Sequence, residues 1–460
     1  MKRKILLFLL CVCIGLVSCS HESDGRLAGA DAGAGGGNLP HDHESDDRPA
    51  GFDALKYLDI ADAKTLYISS ADAASRSARN ASTSQKMFKI TEDGYVEEVK
   101  YLDENKNEIS VEQQPAVIQP VNDDYIFVGF GWSGYVESSY LVRKSDGAVF
   151  DMTKVGNPVG NDVNGGNYGN APMFITDKNN NLYYLTYNYT DSSSKIIKVN
   201  LNDTTSLSAA TVSASTDEVT CFDVDWNGNV IYFGGMNERI RKTNGSFENF
   251  ASDVGFASTW LGLDGNFYCK SYTDSKEEYN GIDGFDQYFA VKRITIDDSF
   301  KVNYEFCGYD TDAYLTFDRG YYGRFVVKDK LLFIGSDILE VDGDGTSINM
   351  KKITLDGLNM QSLWDVTSTE NFYYIFGTDT TAQKFLIRVD PTDHSYINIL
   401  PGDDYDVFSF TASETDGITF NALRMSDGKK VSGQVGLDGG AVRILDEEGD
   451  AEITYLQRIN

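Results

Sequence analysis

The sequence predicts an all-β protein built from repeated antiparallel hairpins. Aromatic residues make up 12% of the 460-residue chain, and Gly is abundant at 43 while Pro is scarce at 8. Tyr and Phe suit pleated, half-buried strands, and Gly suits the turns between them. After the first segment no sustained helical periodicity is visible, whereas short apolar strands joined by Asp-Gly or Asn-Gly turns recur to the end. Such turns between alternating strands are the strongest short-range signal for a hairpin.

Residues 1–18 predict a cleaved signal peptide. Lys2, Arg3 and Lys4 precede an apolar run over residues 5–17. A run of this length is shorter than the roughly 20 residues that span a bilayer, and it fits the apolar region of a secretory leader.

The leader ends in Leu16-Val17-Ser18-Cys19, which resembles the lipobox of bacterial lipoproteins. The resemblance implies cleavage before Cys19 and acylation of its thiol and amine, so that palmitate would hold the protein to a membrane. Ser20 in place of Asp implies passage to the outer membrane, which gives a lipid-anchored cell-envelope location. An ordinary secretory signal with an incidental Cys is the alternative.

Residues 19–50 predict a disordered tether that follows the lipidated Cys. Gly, Ala, Asp, His and Ser dominate it, and almost nothing apolar is present to bury. A flexible coil of this length reaches roughly 30 Å. The tract His41-Asp42-His43-Glu44 has metal-binding residue types, but a metal would have to order it, so a spacer is the interpretation.

The formal net charge of −30 limits the partners. An acidic surface repels nucleic acid and anionic lipid head groups, so a nucleic-acid partner is not expected. The acyl chains, rather than the protein surface, would provide the membrane contact.

Residues 51–460 predict one repeat domain. One kind of hairpin has an aromatic-rich second strand, as in residues 221–235, CFDVDWNGNVIYFGG. A second kind turns on an Asp near a Gly, as in residues 140–152, YLVRKSDGAVFDM. Eight of each kind alternate, the first of them over residues 57–69, so two consecutive hairpins form a four-stranded unit of roughly 50 residues.

This pattern resembles a β-propeller, in which four-stranded blades stack around an axis and bury both apolar faces. Eight blades are predicted, with seven as the alternative count, and a pair of β-sandwiches or a β-solenoid as alternative folds. The Gly-His and Trp-Asp signatures of WD40 blades and the double-Gly pattern of kelch are missing from the sequence, so no named family is indicated. Residues 452–459, EITYLQRI, predict a strand that closes the ring against the first blade.

The long connections of the repeat are predicted to share one face of the disc. With the strands of a blade labelled a to d, all five join b to c, or d to the next a; they are residues 70–85, 103–116, 153–172, 273–286 and 308–324. We call this side the long-loop face and the opposite side the short-turn face.

The long-loop face predicts the binding surface of a monomeric, non-catalytic module for a protein or glycan, because loops on a rigid scaffold carry function. Aromatic rings stack on sugars and peptides, and the candidate contacts are Trp132, Tyr135, Tyr168, Tyr309, Tyr321 and Tyr322.

The turn Asp223-Val-Asp225-Trp-Asn227-Gly-Asn matches the first half of a calcium loop. The twelfth position is Gly234, where a bidentate Glu is needed, and the turn recurs elsewhere without the acids. A hairpin turn is therefore the interpretation, with Asp223, Asp225 and Asn227 as the residues a metal would use.

Catalytic residues are not selected by the sequence, and no cofactor is predicted. The single His of residues 51–460, His394, argues against a Ser–His–Asp triad or a multi-His metal site. Acidic residues on the long-loop face, such as Asp310, Asp312 and Asp318, leave a carboxylate-dependent hydrolase or lyase as an alternative function. A structural component of an envelope complex is the third.

The repeat domain contains three cysteines, Cys221, Cys269 and Cys307. Their odd number favours small apolar strand residues, and one disulfide is left open.

Overall fold

The computed structural model describes residues 51–458 except 71–84, 92, 94, 112, 114, 133–134, 154, 160–171, 189–192, 203–208, 215–217, 235–236, 252–253, 274–287, 310–322, 336, 344–347, 401–403 and 447–455. These residues form eight four-stranded antiparallel blades arranged as a propeller, with one short 3₁₀ turn at Phe52–Ala54. The prediction of an all-β, eight-bladed propeller is confirmed, and the seven-bladed, sandwich and solenoid alternatives are wrong. In the described part of the chain, no helix has the length and hydrophobicity to cross a membrane.

The two inner strands of each blade run in chain order, except in blade 1. Strands a, nearest the axis, are Leu456–Arg458 for blade 1, then Pro115–Pro120, Pro158–Val159 with Ile175–Thr176, Val219–Val224, Val254–Leu261, Gly323–Val327, Met360–Ser368 and Tyr405–Ser413. Strands b are Ala63–Ser70, Tyr125–Trp132, Asn181–Asn188, Val230–Gly234, Phe267–Thr273, Lys330–Ile334, Tyr373–Asp379 and Gly417–Arg424.

The outer strands complete each sheet, and strand d spans only three or four described residues in six of the eight blades. Strands c are Gln85–Thr91, Tyr135–Arg143, Ser193–Asn200, Asn237–Arg241, Tyr288–Ile296, Ile338–Gly343, Lys384–Val389 and Lys429–Val435. Strands d are Val96–Glu98, Val149–Asp151, Ala209–Thr211, Phe247–Asn249, Val302–Tyr309, Ile348–Ile353, Tyr396–Asn398 and Arg443–Asp446.

Strands b are apolar on both faces because each blade packs against two neighbours. In blade 3, Leu182 and Tyr184 lie in the apolar cluster shared with blade 2, while Tyr183 and Leu185 lie in the cluster shared with blade 4. All four side chains are fully buried. Successive strand residues point to opposite faces, so an unbroken apolar run is what a sheet buried on both sides requires.

The first blade is completed from the other end of the repeat. Leu456–Arg458 pairs with Tyr67, Ile68 and Ser69 of strand b, which confirms the predicted closing strand over its described residues. The predicted hairpin 57–69 is wrong in its first half, because Tyr57–Leu58 pairs with Tyr101–Leu102 outside the blades.

The segment before strand b of blade 1 fills the wedge between blades 1 and 2. The ring of Phe52 lies 4.6 Å from that of Phe130, centroid to centroid. The Lys89 ammonium, which is almost fully buried, binds Asp62 at 2.7 Å and Asp59 at 3.1 Å. The apolar pattern of residues 57–60 therefore serves this wedge rather than an inner strand.

The predicted connection 153–172 is also corrected. Strand a of blade 3 begins inside it, at Pro158–Val159, and is interrupted before Ile175–Thr176; both parts pair with strand b. Pro158, at the start of the first part, leaves no missing donor in the middle of the sheet, because strand a is an edge strand.

The interface between blades 8 and 1 is polar where the other interfaces are apolar. The hydroxyls of Tyr67 and Thr419 lie 3.1 Å apart, and the Thr65 hydroxyl donates to Asp416. The apolar cluster described at this interface consists of Tyr67 and Ile90 alone. Hydrogen bonds thus supply much of the contact where the two ends of the repeat meet, and we call this interface the polar seam.

The turns between strands a and b are hydrogen-bonded to one another around the short-turn face. The N–H of Lys178 donates to the carbonyl of Trp226 at 3.3 Å, and the N–H of Trp226 donates to that of Gly265 at 3.1 Å. Further around the same face, the backbone N–H of Lys328 donates to the carbonyl of Glu370 at 3.0 Å. The N–H of Asn371 donates to the Glu414 carboxylate. These links tie neighbouring blades together on this face.

Replacing Gly265 by Ala tests this contact between turns. Both Gly265 and Gly428 have φ in the left-handed region, at +77° and +70°. A Cβ on Gly265 would lie 2.1 Å from the Trp226 ring, whereas none of the described atoms lies within 4 Å of a Cβ on Gly428. We expect Gly428→Ala to lower the free energy of unfolding by about 1 kcal/mol through backbone strain. Gly265→Ala should lower it by clearly more in urea denaturation, and equal losses would contradict the contact.

Candidate functional site

Strand a of blade 7 contains a β-bulge. Leu363 pairs with Gly377 and Asp365 pairs with Phe376, so Trp364 is the extra residue. The Trp364 ring meets the Phe376 ring edge-on at 5.1 Å, and Phe376 belongs to the apolar cluster between blades 7 and 8. Because a bulge breaks the alternation of a strand and re-aims side chains, Trp364 and Asp365 both come to lie opposite Phe376.

The bulge recurs at an equivalent register in other inner strands. The extra residues are Ala116 in blade 2, Thr220 in blade 4 and Phe408 in blade 8. Trp364 and Phe408 are the large members of this series, and 50% and 45% of their surfaces are exposed. Blades 7 and 8 thus present two exposed aromatic residues from neighbouring strands at the axis.

A lysine and an aspartate lie beside Trp364. The Lys384 ammonium is 5.2 Å from the centroid of the Trp364 ring, a cation–π distance. Lys384 also forms an ion pair with Asp406 on strand a of blade 8. Since Lys384 is the first residue of strand c, the pair lies toward the long-loop face. We call Trp364, Asp365, Lys384 and Asp406 the blade 7–8 site.

Asp365 has an unusual environment for a carboxylate. One of its oxygens accepts the N–H of Val366 at 2.8 Å. Burial raises the pKa of Asp365 to about 6, and that single backbone hydrogen bond is the opposing influence. Asp365 therefore changes charge close to neutral pH.

The aromatic residues predicted from the sequence are placed only in part. Trp132 and Tyr135 pair across the turn from strand b to strand c of blade 2, and Tyr309 is the last residue of strand d of blade 5. Their backbones lie at the long-loop face, as the topology requires. Tyr168, Tyr321 and Tyr322 fall outside the described residues, as do Asp310, Asp312 and Asp318. Their part in binding stays a prediction.

The residues considered for calcium are used by the turn itself. Asp225 accepts the N–H groups of Asn227 and Asn229 at 2.9 and 2.8 Å, and the Asn229 side-chain amide at 2.7 Å. The Asn227 oxygen accepts the Lys178 ammonium of blade 3, and Asp223 accepts the N–H of Val224. Among the described residues, no group of three or more His, Cys, Asp or Glu side chains is placed to hold a metal ion.

The lone histidine lies on the short-turn face, in the turn between strands c and d of blade 7. His394 Nε2 is 3.7 Å from an oxygen of Glu340, and burial is the leading cause of its lowered pKa. It lies at the opposite end of the blade from Lys384.

The disulfide left open by the sequence is not formed. Cys221, Cys269 and Cys307 are all free thiols. Cys221 and Cys269 pack in the cluster between blades 4 and 5, and Cys307 packs between blades 5 and 6. They act as small apolar residues of the blade interfaces.

Sequence reasoning missed all four residues of the blade 7–8 site. None of them was among the candidate binding or catalytic residues. The available signal was the run Leu363-Trp364-Asp365-Val366, which breaks the alternation of period two in the middle of a strand.

Comparison with known proteins finds distant structural neighbours. No family model matches the sequence, and no curated protein matches it. A streptogramin B lyase is 13% identical at a TM-score of 0.34, over 68% of this chain and 92% of that one. An inactive virginiamycin B lyase from Staphylococcus aureus is 12% identical at a TM-score of 0.33, over 68% of this chain and 92% of that one. Puromycin hydrolase is 11% identical at a TM-score of 0.42, over 73% of this chain and 55% of that one. Similarities this low carry no argument about function.

Asp365→Asn tests the environment of the carboxyl group. A pKa raised in the folded state lowers stability as the pH rises through that pKa, because the folded protein resists ionisation. Asp365→Asn should therefore match the wild type in melting temperature near pH 3.5 and exceed it at pH 7.5. Asp427→Asn is the control of opposite sign, because the Arg424 partner lowers the pKa of Asp427 to about 2. This variant should be the less stable one at pH 7.5. An unchanged or lower melting temperature for Asp365→Asn at pH 7.5 would contradict the assignment.

Proposed function

We propose that this protein is a lipid-anchored propeller of the bacterial cell envelope that binds a glycan at the blade 7–8 site. The observation that supports this most directly is the half-exposed ring of Trp364 beside a carboxyl group without a basic partner among the described residues. An exposed aromatic ring stacks on the apolar face of a sugar, and a few polar groups orient its hydroxyls.

The rigidity of the site favours binding. Phe376, almost fully buried, supports the indole of Trp364 from one side, and the Lys384–Asp406 pair joins the two blades across it. A ring already held in place loses little conformational entropy when a ligand stacks on it. The long-loop face, with Trp132, Tyr135 and Tyr309 at its strand ends, would extend the contact with a longer chain.

Trp364→Ala tests the glycan site. Screening the full chain on a glycan array should identify a ligand, and Trp364→Ala should weaken its binding about tenfold or more, the loss expected for a stacking ring. Trp226→Ala is the matched control, since Trp226 is 45% exposed but lies on the short-turn face. Equal losses of affinity in the two variants, in titration calorimetry, would contradict the location.

A carboxylate-dependent hydrolase or lyase is the second candidate function. Asp365, with its pKa of about 6, has the property of a general acid at neutral pH. Asp406, which forms an ion pair with Lys384, would supply the second carboxyl group. If the bound glycan is cleaved, Asp365→Asn should abolish turnover while the complex still forms. If the wild type binds the glycan stably without cleaving it, the enzyme is contradicted and the binding module is supported.

The proposed lipid anchor is tested in a separate experiment. The resemblance of Leu16-Val17-Ser18-Cys19 to a lipobox supports the lipid anchor and the outer-membrane location. Radiolabelled palmitate fed to cells that express the full chain should label the protein, and Cys19→Ala should remove the label. Cys11→Ala, within the apolar run, is the control that should keep it. Label that persists in Cys19→Ala would rule out this anchor.

A further inference from the structure

The basic residues on strand c of blade 7 are paired with carboxylates other than Asp365. Strand c of blade 7 holds two basic residues: Lys384 is paired with Asp406, and Arg388 is paired with Asp438 and stacks on the Phe372 ring at 4.1 Å. On blade 8, Arg424 of strand b pairs with Asp427 at 2.6 Å, and Lys429, Lys430 and Arg443 lie on the outer strands c and d. Tyr374 of blade 7 and Tyr405 of blade 8 supply no positive charge. In the part of the chain that the structure describes, Asp365 has no cationic partner.

We infer that the blade 7–8 site binds an amino-bearing saccharide, whose ammonium group lies between the Asp365 carboxylate and the exposed surface of the Trp364 ring. This inference rests on the proposed glycan-binding function and names the chemical class of its ligand. An ammonium group supplies the counter-ion that the protein does not, and it is attracted to the indole face as Lys384 already is.

Neutral and acidic sugars fit the same site less well. A neutral sugar would bury Asp365 further without compensating its charge, which costs free energy. An acidic sugar would meet both the carboxylate and the field of a chain with a net charge of −30. That field favours the approach of a cation.

A basic peptide could present the same ammonium group. The saccharide is favoured because Trp364 offers an exposed flat ring next to the carboxylate and Phe408 offers a second one on the neighbouring strand. Successive rings at the axis suit the successive flat faces of a sugar chain.

Titration calorimetry on the full chain tests the inference with four probes: the trimers of glucosamine, N-acetylglucosamine and glucose, and trilysine. At pH 7 we expect the glucosamine trimer to bind about tenfold more tightly than its N-acetylated form, the value of one charge-assisted contact. Its affinity should rise with pH as Asp365 ionises and fall again when the amine loses its proton.

Asp365→Asn should remove the preference for the amine and the rising limb of the pH profile, while Trp226→Ala should keep both. Equal binding of the glucosamine and N-acetylglucosamine trimers, with Trp364→Ala weakening both, would overturn the inference and leave the proposed function standing. Binding of trilysine without the glucosamine trimer would overturn the choice of a saccharide. No binding of any saccharide at Trp364 would overturn the proposed function itself.

Discussion

The fold depends on the burial of both faces of every blade. Leu182, Tyr183, Tyr184 and Leu185 follow one another in strand b of blade 3, and they pack alternately against blades 2 and 4. Burying a side chain of this size is worth about 1.5–3 kcal/mol, so a blade with one neighbour would expose half of its stabilising surface to water. A closed ring buries both faces of every blade. The ring closes because Leu456–Arg458 pairs with strand b of blade 1.

The same constraint explains why the candidate site is at a bulge. In a blade that is buried on both faces, a regular inner strand buries most of its large side chains. The extra residue in strand a of blade 7 interrupts this rule at the axis, where Trp364 and Asp365 share one side of the sheet. Phe376 of the same blade then supports the indole, and burial raises the pKa of Asp365 to about 6.

The architecture could be predicted from the sequence, while the site could not be selected from it. Alternating hairpins are local patterns, so eight blades follow from counting them. Residues 57–58 and 456–458 are both short apolar strands, and only the packing of Phe52 and Lys89 in the wedge shows which of them enters the sheet. The runs around Trp364 and Phe408 break the alternation visibly, but the burial of Asp365 arises only when the blades pack together.

The polar seam influences the number of blades at which the ring closes. Apolar blade interfaces resemble one another, and a chain of similar units can close too early on a wrong partner. The hydroxyls of Thr65 and Tyr67 find Asp416 and Thr419 only when blade 8 arrives. Against any other blade these two hydrogen bonds would be lost, and a hydroxyl left buried without a partner costs about 1–3 kcal/mol. The polar seam therefore disfavours rings of fewer blades and favours closure of the ring at eight blades.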